Sequence, residues 1–504
     1  MSNLKTEIIP ERGVRWIPVI LGPLLTLLTY YLAPAEYSST VRGTLMVTVW
    51  TVTWWVTEAI PIPASSLLPA VLLPLFGVCD AATAAKYYSH HLILLLLGGF
   101  MLARALECSG LHRIIAIRTL ILLGSSPRRL ALGFLVTSAM LSMWISNTAT
   151  TLMLLPIAIS VARRTEEKSS LGGRFTLCLL LCTAYGANVG GIGTLIGTPP
   201  NLIFVKNAQD LIPPVEVGFL QWLTLGLPVV VLFLPVMYIL MTRFLVPLPA
   251  GESHGGEGML RKELADLGPM RSEEIRVFIV FLVTALLWIT RGGGEVPGWI
   301  DIVGPWLGLD PALAGKYLND SIVAVAAGIA LFVVPSKPGG AALLDWEKAK
   351  DVPWGMLLLF GGGFAIGGAF QSSGLSEEVG ALMAGWNTLP FPVLVMAISS
   401  VTTFLTEVTS NTASMHLLMP VLSSAAIQGG ISPIQMMLPA VLSVSCAFML
   451  PVATAPNAIV FATGKIPIRT MIRCGIVLNI VGVIIVLVVS VVLGQLGWLP
   501  QATG

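Results

Sequence analysis

The sequence predicts an all-α polytopic membrane protein, organised as an inverted repeat with 11 transmembrane helices, two re-entrant hairpins and two broken helices. Three observations lead there. The 504 residues are 55% hydrophobic and only 11% charged, with a mean hydropathy of +0.86, too little charge to cover a water-soluble domain. Apolar stretches long enough for a spanning helix, roughly 20 residues, follow one another along almost the whole chain. A polar triplet inside one such stretch, Ser146-Asn147-Thr148, recurs as Ser410-Asn411-Thr412 inside another.

Read in order, the spans fall near 15–33, 44–60, 62–78, 91–110, 175–212, 217–246, 275–291, 319–335, 354–374, 433–463 and 470–497. The N-terminal MSNLKTEIIPERGVR has no A-x-A-like cleavage signal, so the first span is read as uncleaved. The stretches 175–212 and 433–463 exceed one crossing and are interrupted by GTPPN (197–201) and ATAPN (453–457). Proline removes a backbone donor and clashes with the preceding turn, so each is expected as two short helices around an unwound middle. The regions 127–163 and 389–427 carry the triplets at their centres, in TSAMLSMWISNTATTLMLLP (137–156) and FLTEVTSNTASMHLLMP (404–420). Too long for one crossing and too polar in the middle for two, they read as hairpins that enter and leave on one side.

Basic residues test the layout, because short cytoplasmic loops are rich in Lys and Arg. With the N-terminus inside and the C-terminus outside, 22 basic residues fall on inner segments and five, Arg42, Lys86, Lys206, Arg291 and Lys316, on outer ones. Lys5, Arg12 and Lys168 belong to the inner set, and Arg104 stays within a span. A multi-pass protein of the plasma membrane is expected. The segments are then 1–43 with the first span, 44–246 as the first repeat, 247–274 as a cytoplasmic linker and 275–504 as the second repeat.

The repeat itself is read from spacing. Gly99 and Gly363, Ser109 and Ser373, and the two triplets are each 264 positions apart, whereas Asn201 and Asn457 are 256 apart. Five crossings separate Gly99 from Gly363, and an odd number makes the repeat inverted. Inverted repeats with broken helices in matching places build secondary transporters, whose site lies near the midplane between the repeats.

Four polar elements then converge, two tips and two breaks. Hydroxyls, amide oxygens and freed backbone carbonyls are hard ligands suited to an alkali cation. Helix starts after the tips and breaks aim backbone donors at an anion. No Lys or Arg lies in either tip or either break, and a dianion moved uncompensated into low dielectric would cost on the order of tens of kcal/mol. Co-bound cations supply the missing charge.

Other functions find less support. A net charge of +2 without a basic aromatic stripe gives nucleic acid no footing. The six cysteines, at 79, 108, 178, 182, 446 and 474, match no disulfide framework or zinc spacing. There is no HExxH, no GxSxG and no intramembrane aspartate pair, so an enzyme is not expected; the Ser109 to His112 run reads as a helix-ending turn. The broken-helix repeat argues against a channel. Glu407, whose repeat counterpart is Met143, is read as either a structural anchor or a tuning group. His416 is read as neutral and hydrogen-bonded, the alternative being a protonated imidazole that stands in for a cation and permits exchange, and Glu58 and the Arg104, Glu107 pair are read as helix-end or packing partners.

The paired SNT motifs followed by GTPPN and ATAPN resemble the divalent anion:sodium symporter family, from about residue 44 onwards. That resemblance implies a homodimer in the bilayer, a transport domain moving elevator-fashion against a scaffold, and sodium-coupled uptake of a C4-dicarboxylate such as succinate, malate or fumarate. Sodium-independent dicarboxylate exchange, or transport of citrate or sulfate, is the alternative within the family. By motif position it implies one sodium site at Ser142, Ser146, Asn147 and the Gly197 backbone. A second would use Thr406, Thr409, Asn411 and the Ala453 backbone. Substrate carboxylates would meet Asn147, Thr148, Asn411 and Thr412, with Thr198 and Thr454 nearby. ATAPN lacks the first proline of GTPPN.

Overall fold

Prolines, glycines and short polar caps decide where the apolar stretches of this chain stop and restart. The structure, a computed structural model, describes residues 15–124, 126–167, 173–251, 255–292, 297–382 and 389–500. Lys5, Arg12 and Lys168 of the basic set, and residues 252–254 of the expected linker, lie outside these. Among the described residues the chain is helical, and the one β-type contact is an isolated bridge between Pro335 and Ala342. Among the described residues five helices are long and apolar enough to cross a membrane, Phe219–Leu245 and Ile468–Gln495 among them. Shorter apolar helices include Trp16–Leu32 and Asp320–Val333.

The chain divides into two compact units, residues 1–90 with 354–378, and 91–353 with 379–504. Each sequence repeat contributes to both. In the first unit, Val47, Leu72, Leu73, Ala365 and Ala369 form a buried core flanked by Trp50, Phe76, Tyr87 and Tyr88. Helix Trp354–Ser373 comes close enough to the 62–75 segment that a Cβ at Gly362 would collide with the Ser66 carbonyl. The expected span 62–78 is two short helices, Ile62–Ser65 and Leu68–Leu75. Pro63 and Pro69 each open one of them, where a missing N–H costs nothing, and Ser66 Oγ between them accepts Trp55 Nε1 at 3.0 Å. Glu58 ends helix Ser39–Thr57 at φ 45°, and its carbonyl accepts Arg15 Nη2 at 2.5 Å, a helix-end role.

The second unit contains both hairpins and both broken helices. The arms of the first hairpin are Pro127–Ser142 and Asn147–Glu166; those of the second are Phe391–Thr406 and Asn411–Gln428. The start of each first arm, its end and the start of each second arm repeat at 264, so the sequence offset is also an offset of structure. Ser126 caps the first arm by accepting Arg129 N at 3.3 Å, ahead of Pro127 at the first helical position.

The broken helices run Arg174–Gly190 then Pro199–Gln209, and Pro433–Ser443 then Ala455–Phe461. The interruptions therefore occupy 191–198, which opens with a single 3₁₀ turn at Gly191–Gly193, and 444–454, mostly ahead of the proline motifs. GTPPN and ATAPN form the restart, since proline fits the first turn of a helix and not its interior. Arg174–Gly190 lies along the first hairpin arm, near enough that a Cβ at Gly190 would strike the Ala139 carbonyl. The restarted helices cross over: Pro199–Gln209 packs on Asn411–Gln428 of the second hairpin, and Ala455–Phe461 on Asn147–Glu166 of the first. The two repeats thus interlock around their polar elements.

Candidate functional site

Each hairpin turns on four residues between its arms, and the same bond closes both turns. Ser142 Oγ donates to Asn147 Oδ1 at 2.5 Å, and Thr406 Oγ1 donates to Asn411 Oδ1. A hydroxyl on the last turn of one arm is thereby joined to the amide that opens the next. Ser142 and Thr406 are fully buried, while Asn147 and Asn411 are half-buried.

Around the shared pair the tips differ. Ser146 caps the second arm, its Oγ accepting Ala149 N at 3.2 Å, and Thr148 is exposed. Ser410 makes no side-chain cap; Thr409 Oγ1 instead bonds Leu405 O at 2.8 Å and Ser414 Oγ at 2.7 Å, and Thr412 is buried.

The breaks share one backbone. Thr198 has φ −145°, ψ 143° and Thr454 φ −143°, ψ 152°, so the missing first proline of ATAPN leaves the restart unchanged. Gly197 N donates to Thr194 O at 3.3 Å, and Ala453 N to Leu450 O at 3.2 Å, the same three-residue turn. Asn201 Nδ2 closes the first loop by donating to Gly191 O at 3.0 Å and Thr194 O at 2.7 Å. Asn457 Nδ2 repeats this with Ala447 O at 3.0 Å and Leu450 O at 3.1 Å.

Tip and break meet within the first repeat. A Cβ at Gly191 would lie 2.8 Å from Asn147 Oδ1 and 3.2 Å from the Thr198 Cβ, and one at Gly197 would lie 2.6 Å from Gly191 O. Ser142, Asn147, Gly191, Gly197 and Thr198 are thus one cluster, rich in neutral oxygens. Among the described residues no group of three His, Cys, Asp or Glu is placed to hold a metal. A set of hydroxyl, amide and carbonyl oxygens suits a hard cation of low charge rather than zinc or a redox metal. A cavity of about 350 Å³ adjoins the same tip, lined by Ile145, Ala149, Thr150 and Met153 and faced by Arg104 and His112.

Glu407 proves to be an anchor. Its Oε1 accepts Phe448 N at 2.8 Å, Met449 N at 2.9 Å and Asn479 Nδ2 at 2.7 Å, and its Oε2 accepts Leu450 N at 2.9 Å. Three successive amides of the second break therefore rest on one carboxylate, in the manner of an anion nest. His416 is buried in the second hairpin arm, 2% exposed. The Arg104 guanidinium bonds Glu107 at 3.2 Å and Asp351 at 2.6 Å, a packing role.

Three participants escaped the sequence reading: Gly191, Asn188 and Asn479. Asn188 Nδ2 donates to Thr454 Oγ1 at 3.0 Å and to Asn457 Oδ1 at 3.2 Å, joining the two breaks. The available signal was a lone amide in an apolar helix, which buried polar groups turn into a demand for a partner.

Known proteins resemble this chain in sequence and in fold. The chain is 37% identical over 485 residues to the sodium-dependent dicarboxylate transporter SdcS of Staphylococcus saprophyticus subsp. saprophyticus, covering 94% of this chain and 90% of that protein. SdcS of Staphylococcus aureus is 36% identical over 489 residues, covering 95% and 91%. The fold resembles the YdaH transporter of Alcanivorax borkumensis, with a TM-score of 0.57 at 15% identity over 90% of this chain and 99% of that one. MtrF of Neisseria gonorrhoeae gives 0.59 at 15% identity over 92% and 96%. The model of the sodium:sulfate symporter transmembrane region matches residues 16–499, and this chain belongs to that family of membrane transporters.

Proposed function

We propose that this chain is a secondary active transporter that couples sodium entry to uptake of a C4-dicarboxylate, with succinate, malate or fumarate as cargo. The observation that carries the reading is the doubled oxygen cluster: a tip hydroxyl bonded to a tip asparagine, present twice at one offset beside unwound backbone. Neutral oxygens concentrate a cation without fixing it as a permanent charge would, which release demands. The relatives named sodium-dependent dicarboxylate transporter support the choice of ion and anion.

In this reading one sodium ion is held by Ser142, Ser146, Asn147 and the Gly197 backbone. Gly191, whose carbonyl adjoins Gly197, joins that set. The second ion is held by Thr406, Thr409, Asn411 and the Ala453 backbone. The substrate carboxylates meet Asn147, Thr148, Asn411 and Thr412, with Thr198 and Thr454 at the breaks. The ions supply the charge that lets a dianion enter low dielectric. Each net positive charge carried inward gains about 2.3 kcal/mol per 100 mV, so more than two sodium ions per dianion make uptake electrogenic and add the membrane potential to the sodium gradient as a force for accumulation.

The hairpins are re-entrant from opposite sides, the N-terminus is cytoplasmic and the C-terminus outside, and two copies pair while each carries its site across by an elevator movement. Labelled succinate uptake into proteoliposomes, with and without an inward sodium gradient, tests the central claim. Gradient-driven accumulation is expected, and sodium-independent exchange would overturn it. Competition by citrate and sulfate at constant sodium checks the anion class.

A further inference from the structure

The two breaks close on the same hydrogen bonds and differ in the groups around them. In both, the asparagine three residues after the restart threonine spans the loop with its amide nitrogen. The amide oxygens part company. Asn457 Oδ1 accepts from Asn188 Nδ2 at 3.2 Å. Asn201 Oδ1 is buried with no hydrogen-bond partner among the described residues. The reason lies thirteen residues upstream: that position is Asn188 before Asn201 and Val444 before Asn457. Asn457 Oδ1 is served from the opposite repeat by Asn188, whereas Val444, the counterpart of Asn188 in sequence, is buried and apolar and carries no side-chain donor.

The difference has a consequence at Thr454. Its hydroxyl oxygen accepts Asn188 Nδ2 at 3.0 Å and Asn457 N at 3.3 Å. A hydroxyl has two acceptor positions and one proton, so with both occupied it can act outward only as a donor. The orientation of Asn188 is settled by its neighbours, because Asn457 already turns its nitrogen to two carbonyls and must present oxygen. Thr454 is half-buried, open to a solute, whereas Thr198 is buried and its hydroxyl caps no helix amide.

We propose that Asn188 is a positioning residue that commits the Thr454 hydroxyl to donate a hydrogen bond to a carboxylate oxygen of the cargo, making the second break the half of the site that selects for an anionic acceptor. The inference rests on the dicarboxylate reading above. It assigns a specificity role to a residue that touches neither ion nor substrate.

The test uses the full-length protein in proteoliposomes, with succinate uptake at saturating sodium and sodium activation at saturating succinate. Asn188→Val, the residue of the other repeat, raises the succinate KM by about tenfold, the loss of one hydrogen bond to a charged group. The half-activating sodium concentration stays within about twofold, since the ion ligands are untouched. In a Thr454→Val background, where no hydroxyl remains to be aimed, Asn188→Val adds less than about threefold. Asn188→Ser, which keeps a donor, retains part of the succinate affinity and serves if the valine variant does not fold. Additive effects of Asn188→Val and Thr454→Val, or an effect confined to maximal rate or to sodium, overturn the proposal and leave Asn188 a packing residue. Wild-type protein that shows no sodium-driven succinate uptake overturns the transport reading itself, a separate result read before any variant.

Discussion

At the first tip, Met143 meets the unwound stretch with an apolar side chain lying against Gly193 and a backbone carbonyl that accepts the Thr194 hydroxyl. At the matching position of the second tip, Glu407 reaches across and accepts three successive backbone amides, with Asn479 completing its shell. The loops differ in the same sense. Gly191, Gly193 and Gly197 stand where the second break has Ala447, Met449 and Ala453. A glycine-rich loop can crowd against its own tip, as Gly191 does against Asn147, whereas a loop with side chains needs a carboxylate to hold it. The repeats share the tip asparagines and the asparagines that close each break, and part at Met143 against Glu407 and in the glycines of the loop. A doubled site can therefore have two halves of unequal stiffness.

The largest effects should fall on what the halves share. Asn147→Ala and Asn411→Ala should each abolish sodium-dependent succinate uptake while leaving a folded, membrane-inserted protein, judged by unchanged size-exclusion behaviour in detergent. Normal uptake in either variant would place the site elsewhere. Next comes the anchor that only one half possesses. Glu407→Ala strands the Met449 and Leu450 amides and the Asn479 Nδ2 group, leaving Phe448 N with Asn479 Oδ1 alone at 3.2 Å, and should cost about 3 kcal/mol or more in thermal or denaturant unfolding, whereas Met143→Ala removes no side-chain hydrogen bond and should cost less.

A third change acts on the crowded loop. Gly191→Ala introduces a Cβ 2.8 Å from Asn147 Oδ1, so the sodium concentration for half-maximal uptake should rise several-fold, by about 1 kcal/mol of lost site geometry. Ala447→Gly at the matching position of the second break should leave it nearly unchanged. The smallest contrast concerns the caps. Ser146→Ala should cost about 1 kcal/mol of stability in sodium-free buffer, and Ser410→Ala no more than a few tenths, because only Ser146 caps its helix.

Much of this architecture is written locally. The hairpin arms begin and end within a few residues of the stretches 127–163 and 389–427, because helix breakers and polar triplets act on their own neighbourhood. The breaks were displaced for a local reason too: proline was expected in the middle of each unwound segment, and it sits instead in the first turn after it. Glu407 stood out as a charge in apolar surroundings, yet its role as anchor or tuning group stayed open, since its partners are 41 to 72 residues away.

By itself the amino-acid sequence determined the class, the apolar stretches, the doubled triplet and the family, since hydropathy and spacing are properties of the chain read in order. Tertiary structure alone decided which groups meet. Asn188 lies 266 residues from Thr454, and nothing in the stretch around it distinguishes a bridging amide from a buried one. A hydrogen bond depends on a few tenths of an ångström and a direction in space, which exist only once the two repeats have interlocked.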